Sequence, residues 1–286
     1  MNRRVWPNTQ MYDPARIQSC MQPESQLGWT SDSMKLAMAA DGFDPISLKE
    51  MDEVALLNRV DIKFMLNESR LLDVLTALQS DYWILSVNGK RMNHYRTLYF
   101  DTPDFALYRL HVNDRAERYK VRSREYTDTR TSFLEVKHKT RKDRTIKERI
   151  STSSQMRELT PEAEAWLDVI YPYDCQTLQP TLWNSFTRIT LVSKHLCERV
   201  TLDTNISFYA SERSVDLNGL AIAEVKRDAS YASSPFLEQM RAQRLHPRGF
   251  SKYCMGVSML FDQVKKNILK PKLLKIEKMI GGIHYE

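Results

Sequence analysis

The chain is 286 residues long and carries 42 Lys+Arg against 36 Asp+Glu, a formal net charge of +6. Hydrophobic residues make up 42% and charged residues 27%, the balance of a globular chain, which excludes wholesale disorder. No run approaches the ~18 apolar residues of a spanning helix, and no apolar stretch follows the start MNRRVW, so neither a membrane span nor a secretory leader is expected.

Only 8 glycines occur, and neither GxxxxGK[ST] nor GxGxxG is present. A phosphate cradle of backbone N–H groups is therefore not expected, and any phosphate must be met by side chains. Cys20, Cys175, Cys197 and Cys254 are scattered without a CxxC pair. That spacing argues against a zinc site or a disulfide framework and for reduced thiols in a cytoplasmic protein.

Residues 1–42 are rich in Met, Gln, Ser, Asn and Asp without a sustained period, and read as a mobile tail with one short helix at 33–40. One folded domain is expected over 43–266, followed by a basic helix or tail over 267–286. Ser47 and Glu50 form a capping box for a helix over 48–57. Leu71, Leu72, Leu75 and Leu78 give helical spacing over 68–79. Thr160-Pro161-Glu162 opens a helix over 160–170, and 235–245 and 252–265 are further helices.

The remaining segments read as strands: 59–64, 94–100, 118–124, 134–139, 145–150, 186–191, 199–203 and 223–226. Apolar and charged residues alternate in most of them, so one face of each strand is apolar and the other charged. A sheet with one face in water explains such a pattern on an ordinary strand. Here the polar face is dominated by Lys and Arg on nearly every strand, with Asp61, Glu135, Asp203 and Glu224 among them. Aligning so many like charges costs folding free energy unless an anion neutralises them. About eight antiparallel strands can close into a barrel. With the charged face inward, the lumen is a cationic tunnel, the apolar face points outward beneath helices, and the ligand is a polyanion with a divalent metal at the carboxylates.

The same strands carry SLKEMDEVALLNRVDIKF, YRTLYFDTPDFALYRLH, RYKVRSREY, FLEVKHK, RTIKERI, FTRITLV, ERVTLD, AIAEVKR and GFSKYCMG in order. Together they resemble the VTC domain, the polyphosphate polymerase branch of the CYTH-like triphosphate tunnel metalloenzymes, over residues 43–261. The resemblance implies an α+β fold: an antiparallel eight-stranded β-barrel with a basic lumen, flanked by helices. It implies transfer of the γ-phosphate of ATP to inorganic polyphosphate, release of ADP, and dependence on Mn²⁺ or Mg²⁺. Carried over motif by motif, Lys63, Arg122, Arg124, Lys137, Lys147, Arg188, Arg199 and Lys252 act on the transferring phosphate. Arg59, Lys226 and Ser251 bind substrate, and Glu224 holds the metal. Two positions depart from the family: Asp61 stands where the wider group often has Glu, and Phe186 stands in place of the Tyr of a YxR motif.

Phosphoryl transfer asks for charge neutralisation and in-line positioning more than covalent catalysis, and planar guanidinium groups bind phosphate oxygens in pairs. A terminal phosphate is already anionic, so no catalytic His is required. His138 falls on the outer face with Val136, and His94, His111 and His246 lack ligand spacing. Asp101 reads as a structural cap. A tunnel triphosphatase and a non-catalytic polyphosphate-binding module are the competing readings. Nucleic acid is not an expected partner, because the charge is modest and no recognition motif is present. The Lys-rich C-terminus offers a weak contact to an acidic protein or membrane surface.

Overall fold

The computed structural model describes residues 31–53, 59–142 and 144–285, without the side chains of Ser31, Asp32, Glu53 and Arg59. The strands are β1 (Asp44–Ile46), β2 (Arg59–Asn67), β3 (Tyr82–Leu85), β4 (Asn93–Asp101), β5 (Arg118–Tyr126), β6 (Thr131–Lys139), β7 (Thr145–Thr152), β8 (Gln179–Ser193), β9 (Glu198–Ala210), β10 (Arg213–Asp216), β11 (Leu220–Asp228) and β12 (His284–Tyr285). The helices are α1 (Ser31–Asp41), α2 (Leu48–Glu53), α3 (Glu68–Leu78), α4 (Ala106–Val112), α5 (Pro161–Ile170), α6 (Pro235–Ala242), α7 (Lys252–Leu260) and α8 (Lys270–Ile280).

Each alternating segment becomes a strand, and these strands follow one another along an antiparallel path, β2-β11-β9-β8-β4-β5-β6-β7. Short strands extend it: β10 and β12 beyond β9, and β3 with its parallel neighbour β1 beside the end of β8. The expected closed eight-stranded barrel needs correction. The sheet has 12 strands, and among the described residues no pairing joins β7 to β2. At the free edge of β2 the loop after α6 supplies one bond, from Arg248 N–H to the Lys63 carbonyl at 2.7 Å, where a strand would supply a ladder. The path nonetheless curves around the first turn of α7, where Lys252 pairs with Asp203 of β9 and Ser251 accepts a hydrogen bond from Lys120 of β5.

The outward apolar face is covered as the alternation requires. Phe64, Leu66, Ile189, Leu191, Val200 and Leu202 pack beneath α1, α3 and α6. Leu98, Phe100, Val121, Leu134 and Val136 pack beneath α5. Burying one such side chain contributes about 1.5–3 kcal/mol. The caps form where the sequence puts them: Ser47 and Glu50 exchange bonds at α2, with Ser47 N–H to Glu50 Oε2 at 2.8 Å. Asn67 Oδ1 accepts Ser69 N–H at 2.8 Å at α3, and Thr160 Oγ1 accepts Ala163 N–H at 3.3 Å at α5. The segment 54–58 lies outside the described residues.

Residues before 43 and after 266 also contribute to the core. Leu36 and Ala40 of α1 are buried in the core with α3, so ordered structure begins before residue 42. Ile276 of α8 is fully buried, so the C-terminal segment joins the core. No described helix is long and apolar enough to cross a membrane.

Helix α7 lies on the other side of the sheet. Residues 253–260 of α7 are buried among Met65, Tyr99, Leu182, Phe208 and Ile222, on the face that elsewhere carries the charges. Gly256 permits this approach: a Cβ there would stand 2.6 Å from both Leu182 Cδ2 and Phe208 Cδ1. The inner face is thus apolar where α7 enters and charged around the helix's first residues.

Candidate functional site

Strand register decides which charges meet. Lys63 stands opposite Glu224, and Asp61 opposite Lys226. Across β11 and β9, Glu224 faces Thr201 and Lys226 faces Arg199. Arg188 of β8 faces Asp203 of β9. On the far wall Arg122, Glu135 and Arg149 form one row across β5, β6 and β7, and Lys120, Lys137 and Lys147 the next. Alternation puts these rows on one side of the sheet.

Three carboxylates anchor the cations. Glu135 is 1% exposed and receives Arg122 Nε at 2.7 Å together with Lys147. Asp203 receives Arg188 Nε at 2.6 Å and Arg188 Nη2 at 2.8 Å, and also pairs with Lys252. Glu224 lies between Lys63 and Lys226. Burial alone would raise all three carboxyls. The adjacent cations overcome it, holding Glu135 and Glu224 below the usual carboxylate range and Asp203 at about 2. All three are anionic at neutral pH.

Other cations have no carboxylate partner among the described residues. Lys120 Nζ donates to Ser251 Oγ at 3.2 Å, and Arg124 Nε donates to Thr97 Oγ1 at 3.1 Å. Arg124 is buried, with its guanidinium 5.7 Å from the rings of Tyr95 and Phe186. Lys137 is exposed, on the same face as Lys120 and Arg122. Desolvation first, then Lys120 and Arg122, push it down to about 8. Burial likewise lowers the ammonium of Lys120.

The N-terminus of α7 points into this region. Ser251 caps it by accepting Cys254 N–H at 3.3 Å, and the Lys252 ammonium sits 4.2 Å from the centre of the Phe186 ring. Phe186 stacks on Tyr95 at 5.1 Å, and the Arg188 guanidinium lies 5.0 Å from the Tyr95 ring. The ring that replaces the family tyrosine therefore seats cations by their attraction to its face. The helix terminus adds partial positive charge. An array of this kind, with more cation than carboxylate, accommodates a chain of phosphates.

The family described as VTC domain matches the sequence over residues 58–261. The chain belongs to the VTC domain family. Membership assigns it to polyphosphate- and triphosphate-related chemistry. Comparison with curated proteins gives no match. Similar solved structures include a candidate adenylate cyclase from Bacillus halodurans, at 12% identity and TM-score 0.45, over 72% of this chain and 98% of that one. A candidate adenylyl cyclase from Hippeastrum, described as having a dominant triphosphatase activity, is similar at 13% identity and TM-score 0.45, over 72% and 98%. A protein from Pyrococcus horikoshii is similar at 10% identity and TM-score 0.37, over 65% and 88%.

Within this VTC domain, Lys63, Arg122, Arg124, Lys137, Lys147, Arg188, Lys226, Ser251, Lys252 and Glu224 all gather around the first turn of α7 or on the rows beside it. Arg199 lies at the edge, where its Nη2 donates to the Met51 carbonyl of α2 at 2.9 Å. The Arg59 side chain lies outside the described residues. Asp101 is fully buried and accepts N–H groups of Leu107 at 2.8 Å and Tyr108 at 2.9 Å, with the Tyr253 hydroxyl. Burial pushes its carboxyl up to about 6. It ties α4 to α7, as its reading as a cap requires. His138 stacks on Tyr119 at 4.2 Å and meets Glu117 at 2.9 Å on the outer side.

Three residues join the site that motif reasoning did not select. Lys120 is central, because β5 runs beneath the start of α7. Arg149 shares the Glu135 row and lies 4.5 Å from the Phe133 ring. Alternation in 145–150 signals its face, but no motif names it. The Thr201 hydroxyl is buried without a hydrogen bond, on the strand position facing Glu224. Its signal is its place between Arg199 and Asp203.

Among the described residues no cluster of three or more His, Cys, Asp or Glu stands ready for a metal. Glu224 alone, held by Lys63 and Lys226, does not make a protein-only ion site. It does fit a divalent ion carried on a phosphate chain, because Mg²⁺-type ions take one or two carboxylates and fill the remaining positions with phosphate and water.

Proposed function

We propose that this VTC domain is a polyphosphate polymerase that transfers the γ-phosphate of ATP to a growing inorganic polyphosphate chain and releases ADP, using Mn²⁺ or Mg²⁺. The observation that supports this reading is the set of cations without carboxylate partners among the described residues, Lys120, Arg124 and Lys137, on the charged face that also carries Glu224. Glu224 would hold the divalent ion, which when bound would supply charge neutralisation on the nucleotide phosphates. Lys63 and Lys226 turn from Glu224 to phosphate oxygens as the anion enters. Arg122, Arg124 and Arg188 grip transferring and acceptor phosphates through paired N–H donors. Lys147, Lys137, Lys120 and Lys252 spread charge along the chain, with Arg199 toward the edge, and Arg59 binds substrate in this reading. Ser251 aims the start of α7 at the phosphates. Cytoplasmic ATP is the donor in this reading.

A second reading, hydrolysis of tripolyphosphate or nucleoside triphosphates, is favoured by α7, which fills part of the inner face and shortens the passage for a long product. A non-catalytic polyphosphate-binding module keeps the cations and dispenses with Glu224. Incubation with ATP and Mn²⁺ separates them. A ladder of chains on a urea gel with matching ADP supports the polymerase. Free phosphate without chains replaces it with the hydrolase, and tight polyphosphate binding without either product replaces it with the binding module.

A further inference from the structure

A cavity of about 310 Å³ opens on the outer side of β2 and β11, behind Lys63 and Glu224. Ile62 and Phe64 of β2 line it, with Leu237 and Met240 of α6 and Leu245 beyond the helix. Such walls are apolar, and the volume lies at the lower end for a small-molecule pocket. Two guanidinium groups interrupt them, those of Arg227 and Arg241. Neither is in an ion pair among the described residues. Arg227 Nη1 reaches the Asp228 carbonyl at 3.4 Å, while its Nε is buried with no hydrogen-bond acceptor. Arg241 is held at the rim by Ser233 Oγ at 2.8 Å and the Ala232 carbonyl at 3.4 Å. Glu198 faces Arg227 from β9 and attracts it electrostatically; its Oε1 accepts the Tyr82 hydroxyl at 2.5 Å, and its Oε2 is buried without a hydrogen bond.

This chemistry selects its occupant. A buried donor without an acceptor is destabilising, so a ligand that brings an acceptor gains more than one that brings hydrocarbon alone. Free phosphate or a nucleotide would meet apolar walls, where an unpaired part of its charge is costly. An ammonium head would face two guanidinium groups. We propose that the cavity binds a medium-chain aliphatic carboxylate, its tail on Ile62, Phe64, Leu237 and Met240 and its head on Arg227 and Arg241. The site is separate from the phosphate site and does not depend on the reading of that site.

The test is calorimetric titration of the full chain with octanoate, octanol and octylammonium. Octanoate is expected to bind with one-to-one stoichiometry, and the other two at least about tenfold more weakly, the worth of a charge-assisted hydrogen bond. Arg227→Gln should weaken octanoate by about tenfold or more. Arg241→Gln, on the exposed rim, should weaken it too and keeps the test open if Arg227→Gln disturbs the β2–β11 pair. Saturating tripolyphosphate should leave octanoate affinity unchanged. No binding at about 10 mM octanoate, equal binding of all three probes, wild-type affinity in the folded variants, or displacement by tripolyphosphate would each overturn the proposal.

Discussion

Lys252, the first residue of α7, ion-pairs with Asp203 in the middle of β9, a carboxylate that already accepts two hydrogen bonds from Arg188. One buried anion thus serves two cations and leaves net positive charge at the helix terminus. Removing the anion strands both cations, which typically costs about 3–5 kcal/mol. Asp203→Ala should therefore lose stability on that scale in urea unfolding. Lys252→Ala leaves Asp203 paired with Arg188 and should keep most of the stability while weakening tripolyphosphate binding by about tenfold. An Asp203→Ala protein as stable as the wild type would mean these charges are not desolvated.

Arg122 and Lys137 face the same interior but differ in what holds them. Arg122 donates to Glu135, which is 1% exposed, whereas Lys137 has no carboxylate partner among the described residues. Arg122→Ala should lower both the melting temperature and activity, because it leaves Glu135 to Lys147. Lys137→Ala should lower activity and leave the melting temperature unchanged or raised, since it relieves repulsion. Equal destabilisation by both substitutions would remove the distinction between an anchored and an unanchored cation.

That difference shows what the sequence makes legible. Strand alternation reveals that Lys63, Arg122 and Arg188 share a face, since a period of two is local and survives in any register. It does not reveal that Arg122 and Lys147 converge on Glu135, because pairing partners are set by register across separate strands. The edge between β7 and β2 is invisible for the same reason: closure is a property of the whole sheet. α7 reads as one more amphipathic segment, and only its neighbours show that it packs inside. Lys120 escapes motif reasoning because its importance comes from the start of α7, 131 residues away in sequence.

The pH dependence follows from Lys137, whose ammonium is pushed down to about 8 from an ordinary 10.5. Between those values the unfolded chain binds more protons at this group than the folded one. Stability contributed by this group therefore rises with pH across that window, and its penalty is fully present below about 8. A bound phosphate chain reverses the preference by favouring the charged form. Tripolyphosphate affinity should fall as pH rises through about 8, and Lys137→Arg should flatten that fall. Calorimetric affinities across this range check it. A wild-type profile that matches the Arg variant would assign the dependence elsewhere.

Tripolyphosphate should also raise the melting temperature, because only the folded chain presents the cation array. At a ligand concentration of 100 Kd the stabilisation is about 2.7 kcal/mol. Added salt should shrink the shift by weakening binding, less steeply than for an exposed patch, because enclosed charges are less screened. Thermal melts with and without millimolar tripolyphosphate check this, and no shift would count against a cationic interior.

Glu224 separates binding from turnover. It is paired with Lys63 and Lys226, and it is the carboxylate proposed to hold the divalent ion. Glu224→Gln removes one negative charge from the interior and frees both ammonium groups. Metal-free tripolyphosphate should therefore bind at least as tightly as to the wild type. Metal-dependent product formation should fall by about 100-fold or more, because the carboxylate proposed to hold the ion is lost. Calorimetry without metal and a product gel with Mn²⁺ measure the two effects on one protein. Weakened metal-free binding would make Glu224 a positioning residue for the lysines, and retained turnover would remove it as the metal ligand. The proposed assignment requires that turnover fall while metal-free binding does not weaken.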